Sequence, residues 1–524
     1  MNINECPIVY LYITNKNKIK HKIKEMISRI FSFLLITTFC IFGNSIQLEA
    51  SKVSTVTDNA VTVTLDNKTL VNDCYIGNGA QWDPYPINYG DVRLPISDAD
   101  WQKLYNRLDF MRPQFIRMMV NTGSFFKNDQ LISEKDMDVL FKMLDYCQSR
   151  HVTVVFGDWG WSVINKRKAE IDDINLKHAA ELAEYLVKEK GFDCIKYYNL
   201  INEPNGDWSV TNRSYPLWKK AVKQFYDNLK ELKINDKINI MGPDIAIWSK
   251  NESWWVDSCA NHLGDIIKLY DIHTYPSKIT VNSGEYSRII QAYINKVPKD
   301  KKIVMGEIGL KFVEKADSLY DKENINRIKA KKYASLSDSQ MFVYDYMYGT
   351  DMADALFQTL NAGYSGSVVW MLDDAMHYNE APDKLKIWGF WNILGDEFFG
   401  SEEENVRPWY YAWSLLTKYL PAGSQIYKTE VQGDNGVKSI FSGKDGKYLI
   451  ALVNVSKETK NVKITSTNGD INNCKQFIYS DGTLIKEGDH NLLPNAEHLK
   501  LNLKEGVSVT MPPESLIVYT SFDY

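Results

Sequence analysis

Two glutamates are set at comparable points of the chain. Glu203 sits in Asn202-Glu203-Pro204, at the close of the β-branched and aromatic run Ile195–Asn202. Glu307 sits in Val304-Met305-Gly306-Glu307, at the close of a run that starts at Lys302. Two carboxyl groups flanking one glycosidic bond can cleave it. One donates a proton to the leaving oxygen, and the other, ionised, attacks the anomeric carbon or activates water. Either glutamate alone is a weak signal, because a Glu beside a strand end is ordinarily a solvated charge. Their neighbours sharpen the pairing. Arg117, in Phe115–Val120, is expected to lie beside Glu307 and hold its carboxylate ionised, while Glu203 is expected to keep its proton to a higher pH. His273 and Tyr275 are two apart at the end of Ile267–His273 and so point the same way. Tyr275 is placed to donate to Glu307, and His273 to orient either glutamate. Asn202 is placed to bond a sugar 2-hydroxyl, and Trp370, in Gly366–Leu372, to floor a sugar ring. The plainer roles are a structural ion pair for Arg117, a satisfied buried imidazole for His273 and packing for Trp370.

Further aromatic and polar residues follow other strand ends. Trp82 follows the first run, Asp158, Trp159 and Trp161 the third, Trp208 the acid at 203, and Asp244 and Trp248 the fifth. The segment Asp373 to Val406 is long and holds Asp373, Asp374, His377, Trp388 and Trp391. Aromatic faces suit sugar stacking, and Asp and His suit hydroxyl recognition. A long aromatic loop at this point favours a closed pocket and a short or terminal substrate. Glu402-Glu403-Glu404 has the look of a solvated acidic run. No H-E-x-x-H, phosphate-loop or EF-hand pattern is present. The chemistry of a carboxylate pair calls for no metal or organic cofactor.

Eight short apolar runs, alternating with helical patterns such as Glu134–Gln148, Leu176–Glu189 and Leu217–Leu232, must hold these residues. The runs are Asp73–Gly77, Phe115–Val120, Val152–Gly157, Ile195–Asn202, Ile238–Gly242, Ile267–His273, Lys302–Gly306 and Gly366–Leu372. Parallel strands joined by helices imply an α/β fold, a (β/α)8 TIM barrel over residues 73–420. In such a barrel the strand ends carry function. A doubly wound sheet would bring a glycine-rich phosphate loop, which is lacking. From Pro421 the pattern becomes short alternating runs broken by Asp-Gly turns, which predicts an antiparallel β-sandwich over 421–524. The alternating run Ala60–Leu65, within 51–72, is expected to add a strand to it.

The 524 residues carry 61 Lys and Arg against 66 Asp and Glu, a net charge of −5. That balance offers no nucleic-acid footprint; the carboxylate pair makes a carbohydrate the expected partner. Fourteen Trp and 31 Tyr suit sugar faces as well as cores. Lysines between Lys16 and Lys24, an apolar run Ile30–Phe42 and a small-residue exit at Ala50-Ser51 predict a signal peptide over 1–50 and a secreted or extracytoplasmic protein. Met26 sits where such a signal normally begins, which would make residues 1–25 an upstream start artefact. No stable membrane insertion is expected after cleavage. Cys74, Cys147, Cys194, Cys259 and Cys474 would remain, scattered and odd in number, which argues against a disulfide framework or zinc site. The oligomeric state is not legible.

The ordered set Arg117, Asn202, Glu203, His273, Tyr275, Glu307 and Trp370 resembles the retaining glycoside hydrolases of clan A, the four-seven superfamily. It is similar to the cellulase-like family five and to family thirty-nine. The resemblance covers roughly Asp73 to Leu420, and the trailing β-domain also recurs in that clan. It implies that Glu203 is the acid/base and Glu307 the nucleophile of a double displacement. One departure is visible: the cellulase-like family places a histidine after strand three, where this chain has Gly157-Asp158-Trp159-Gly160-Trp161. The competing expectation is a non-catalytic carbohydrate-binding protein on the same scaffold, which would need neither glutamate. A purely structural surface protein would leave the polar strand ends unexplained.

Overall fold

The computed structural model describes residues 61–85, 96–380, 385–466 and 469–524. The predicted signal segment, with Met26 and the cleavage point near Ser51, lies outside the described residues. Eight parallel strands form one sheet: Gly77–Ala80, Phe115–Val120, Thr153–Asp158, Ile195–Asn199, Asn239–Ile247, Ile267–Thr274, Lys302–Ile308 and Gly366–Val369. They follow one another around the sheet in chain order, and Gly366–Val369 pairs with Gly77–Ala80. The ring closes where Trp82 N donates to Arg117 O at 2.9 Å, beside the bridge between Gln81 and Arg117. The strands are buried on both faces, which explains their continuous rather than alternating apolar runs.

Inside the ring, Phe115, Val155, Met241, Leu269, Val304 and Val368 form a separate apolar plug, with Ile76 and Tyr197 against it. Each of the eight strands, or the residue leading into it, supplies one member. One inward step further along the strands the lining turns polar, with Arg117, Asn199 and Asp271. The apolar plug thus floors a polar layer at the carboxyl ends of the strands.

Helices wrap the ring. Asp98–Met111 starts with a capping box between Ser97 and Asp100. Tyr215–Glu231 has proline in its first turn and Ser214 accepting from Leu217 N, and its apolar face (Trp218, Ala221, Val222, Phe225, Leu229) is buried. The predicted helix ending at Glu189 is α-helical over Asp173–Glu184 and finishes in a π-helical turn, Tyr185–Glu189. The first barrel strand is Gly77–Ala80 and not the predicted Asp73–Gly77.

Most of the carboxyl-terminal strands, expected as an antiparallel β-sandwich, lie in one nine-stranded hydrogen-bonded sheet, while Ile485–Glu487 and Asn491–Leu493 pair apart from it. Val61–Asn72 is within it, antiparallel to Gln425–Gln432 and parallel to Lys460–Ser466. Alternation divides its faces. Leu449, Ala451 and Val453 join the core shared with the barrel, and Ile450 and Leu452 face a second core. That second core includes Leu501 and Met511 from the two edge strands, so both ends of the sheet reach one apolar interior. Lys438 Nζ reaches Asp354 at 2.8 Å on helix Tyr346–Asn361, and Tyr479 Oη donates to Tyr346 O at 2.9 Å, which fixes the sheet to the barrel. The five described cysteines are free thiols, four of them buried. Among the described residues no helix is long and apolar enough to cross a membrane.

Candidate active site

Glu203 follows the fourth barrel strand and Glu307 lies in the seventh. Carboxylate oxygens of both and a ring nitrogen of His273 lie within 4.8 Å of one another. Glu203 holds a left-handed backbone, φ 46°, and so does Asp244 within the fifth strand, φ 59°. Two non-glycine residues in that region, both at one site, mark backbone held against its own preference by its surroundings. Gly306, one residue before Glu307, leaves room that a Cβ would take from Asp271 Oδ2, 2.7 Å away.

Arg117 is fully buried and organises the polar layer. Its Nη1 donates to Glu307 Oε2 at 3.0 Å and to Gln81 Oε1 at 2.5 Å. Its Nη2 donates to Asn202 Oδ1 at 2.8 Å and to Asp244 Oδ2 at 3.0 Å. Tyr275 Oη donates to the other oxygen of Glu307 at 2.5 Å. Burial, with Glu307 and Glu203 beside it, pushes the Tyr275 hydroxyl well above the usual phenol range, which keeps it a donor. Trp208 Nε1 donates to Glu203 Oε2 at 2.6 Å. His273 spans the layer. Its Nδ1 is 3.4 Å from Glu203 Oε1 and 3.8 Å from Glu307 Oε2, and its Nε2 is 2.6 Å from Asp244 Oδ1.

Burial works against charge on His273, but Asp244 and Glu307 outweigh it and push the imidazole up to about 10. Asp244 is held down at about 2: burial raises it, and Arg117 and His273 more than reverse that. Asp271 is pushed well above the usual carboxylate range by burial and by Asp244 beside it. Glu307 corrects an expectation. Burial carries its carboxyl above the ordinary glutamate value, although His273 and Arg117 both pull it down. Arg117 therefore opposes the desolvation of Glu307 without overcoming it.

A cleft of about 350 Å³ opens over the pair. It is lined by Trp159, Trp161, Asn202, Glu203, Trp208, Ser209, Tyr275, Glu307, Lys311, Asp338, Trp370, His377 and Lys386. Trp159 and Trp161 stack with centroids 5.8 Å apart, and Trp370 meets Trp159 edge-on at 6.3 Å. Trp161 and Trp208 are 60% and 48% exposed, and so offer open aromatic faces. Trp208 lies flat against Gly206, where a Cβ would fall 2.3 Å from the ring. Trp248 meets Trp208 edge-on.

Other expected cleft residues are structural. Trp82 is fully buried and donates to Tyr85 Oη at 3.1 Å. Asp158 is buried too, accepting from Thr122 N at 2.7 Å and Gly160 N at 2.6 Å, so it ties two loops together. Asp373 accepts from Tyr85 and Trp391, and Asp374 from the backbone of Trp388 and Gly389. Arg407 Nη2 lies 2.5 Å from Asp374, which locks the eighth loop. Trp391 is buried with Arg107 over its ring. Only Glu402 of the acidic run is exposed: Glu403 and Glu404 are buried and pair with Lys331 and Lys103.

Sequence reasoning missed Gln81, Asn199 and Asp271 in the polar layer, and Ser209, Lys311, Asp338 and Lys386 in the cleft. Asp271 had a signal, since it lies two residues before His273 on one strand face. The lysines and Asp338 sit in loops without periodicity. Two triads have metal-ligand spacing, Glu203–His273–Glu307 and Asp244–Asp271–His273. Both depend on His273, whose proton is held to about 10, and Arg117 occupies oxygens of Glu307 and Asp244.

No family model matches the chain, and no curated protein matches it. Solved structures do. A GH30 endoxylanase from Clostridium papyrosolvens C71 is 12% identical, with 88% of this chain and 99% of that one covered and a TM-score of 0.58. An α-L-arabinofuranosidase from Thermotoga maritima, in complex with arabinose, is 13% identical with the same coverage and TM-score. A monomeric β-xylosidase from Caulobacter crescentus CB15 is 12% identical over the same shares, with a TM-score of 0.57. This chain shares the fold of those proteins.

Proposed function

We propose that the chain is a retaining glycoside hydrolase that acts on β-linked glycosides or oligosaccharides. The approach of Glu203 and Glu307 to within 4.8 Å carries this reading. Retaining enzymes hold their carboxyl groups about 5–5.5 Å apart, and inverting ones leave about 6.5–9.5 Å for a water. Glu307, gripped by Arg117 and Tyr275, attacks the anomeric carbon and forms a glycosyl ester. Glu203 gives its proton to the departing oxygen. Glu203 then takes a proton from water, whose oxygen displaces Glu307 and releases the sugar with its configuration kept. Protonated His273 offsets charge on both glutamates, and Asn202, held by Arg117, presents its amide to the sugar. Trp159, Trp161, Trp208 and Trp370 supply the stacking faces.

The basic and apolar segments before Ser51 support export, so the substrate is an external saccharide. The carboxyl-terminal sheet, with its own core, serves as an accessory sandwich packed on the barrel. The test is hydrolysis of a panel of β-linked oligosaccharides with NMR of the first-formed product. A β-anomer is expected. A first-formed α-anomer, or no hydrolysis across the panel, contradicts the proposal.

A further inference from the structure

Among the described residues, one cation that lines the cleft has no carboxylate partner. Lys311 lies just beyond the seventh barrel strand and lines the cleft together with Glu307 and Tyr275. Its ammonium sits 4.7 Å from the centroid of the Tyr275 ring and 5.5 Å from that of Trp388. Those rings meet edge-on at 5.4 Å and form its platform. Asp338, which also lines the cleft, is engaged elsewhere: it accepts from Trp388 Nε1 at 3.1 Å and pairs with Lys386 at 3.5 Å. Among the described residues Lys311 makes no ion pair. A lysine on a surface keeps its charge cheaply in water. This one is half-buried, directed by two rings into a substrate cleft, and a bound saccharide would strip water from it.

We propose that Lys311 recognises an anionic group on the substrate, so that the preferred saccharide is acidic, carrying a uronate carboxylate or a sulfate ester. This rests on the glycosidase reading above and names its substrate class. An ammonium is a point charge with three rotatable donors and accepts either group. A charge-assisted hydrogen bond formed in the desolvated cleft discriminates by about 10- to 100-fold against a substrate lacking the anion.

The test uses the whole protein and aryl glycosides of one scaffold: a β-glucoside, the matching β-glucuronide and the 6-sulfated β-glucoside. A neutral xylo-oligosaccharide and its glucuronate-branched form test for an anion outside the cleaved sugar. The proposal expects kcat/KM for at least one acidic member to exceed that of its neutral partner by about tenfold or more. It expects K311M to collapse that ratio and K311R to restore much of it. Which acidic member is preferred distinguishes carboxylate from sulfate, and cleaved sugar from branch. Neutral partners cleaved as well as or better than every acidic one would overturn the proposal while leaving the hydrolase reading intact. So would an acidic preference unchanged in K311M. If no member is cleaved, both readings fall together. Thermal unfolding of each variant, expected within about 2 °C of the parent, separates a lost contact from a lost fold.

Discussion

Asp244 and His273, both fully buried, meet at 2.6 Å, and Arg117 pairs with the same aspartate at 3.0 Å. The pairing sets a pH window. His273 holds its proton to about 10 against an ordinary value of 6.5, so its contribution to stability is complete below 6.5 and is lost as pH rises through 10. Asp244 is depressed from 3.8 to about 2, so its contribution is complete above 3.8 and is lost as pH falls through 2. Urea unfolding followed from pH 6.5 to 10 should show falling stability, and H273N should flatten that slope. An unchanged slope in the variant would place the lost proton elsewhere.

Glu203 meets the leaving group, so its removal should depend on what leaves. E203A is expected to slow cleavage of an unactivated oligosaccharide by about 10²- to 10⁴-fold. Formation of the glycosyl-enzyme from a dinitrophenyl glycoside, whose leaving group needs no proton, should be far less affected. Added azide, which needs no general base, should restore turnover and yield a β-glycosyl azide. Equal losses on both substrates would mean that Glu203 is not the proton donor.

Trp82 and Trp161 share a residue type but differ in surroundings. W82A empties a fully buried site and should cost about 3–5 kcal/mol by chemical denaturation. Trp161 is 60% exposed over the cleft, and W161A should change stability by about 0.5 kcal/mol or less while raising KM. The reverse pattern would put Trp161 in the core and Trp82 at the substrate.

That contrast shows what the sequence could and could not reveal. Glu203, Glu307, Arg117, His273, Tyr275 and Trp370 were legible because each lies on or just after a barrel strand, and parallel strands in a barrel bring such positions together. Trp82 and Asp158 also follow strands, but a strand end does not say whether the next side chain turns towards the cleft or beneath a loop. The first strand was misplaced because Gly77–Ala80 contains two glycines, poor strand formers by propensity. Glycine is required at Gly79, where a Cβ would fall 1.7 Å from Phe115 O on the next strand. The burial of Glu403 depends on Lys331, Tyr333, Tyr344 and Arg407, partners brought together only by the folded eighth loop.

Arg407 is the anchor of that loop, 2.5 Å from Asp374 and 3.5 Å from Glu403, with all three buried. R407M leaves two carboxylates without their shared cation and should cost about 3–5 kcal/mol. Because Asp374 holds the backbone of Trp388 and Gly389, proteolysis within 373–406 should also quicken. A variant as stable as the parent would show that the pair contributes little.

Identifying the atom that takes the sugar tests the whole account most directly. A 2-deoxy-2-fluoro glycoside with a good leaving group should inactivate the protein with a stoichiometry of one, and mass spectrometry of the digest should place the sugar on the peptide containing Glu307, with no label in E307Q. Label on any other residue, or inactivation without a covalent adduct, would contradict it.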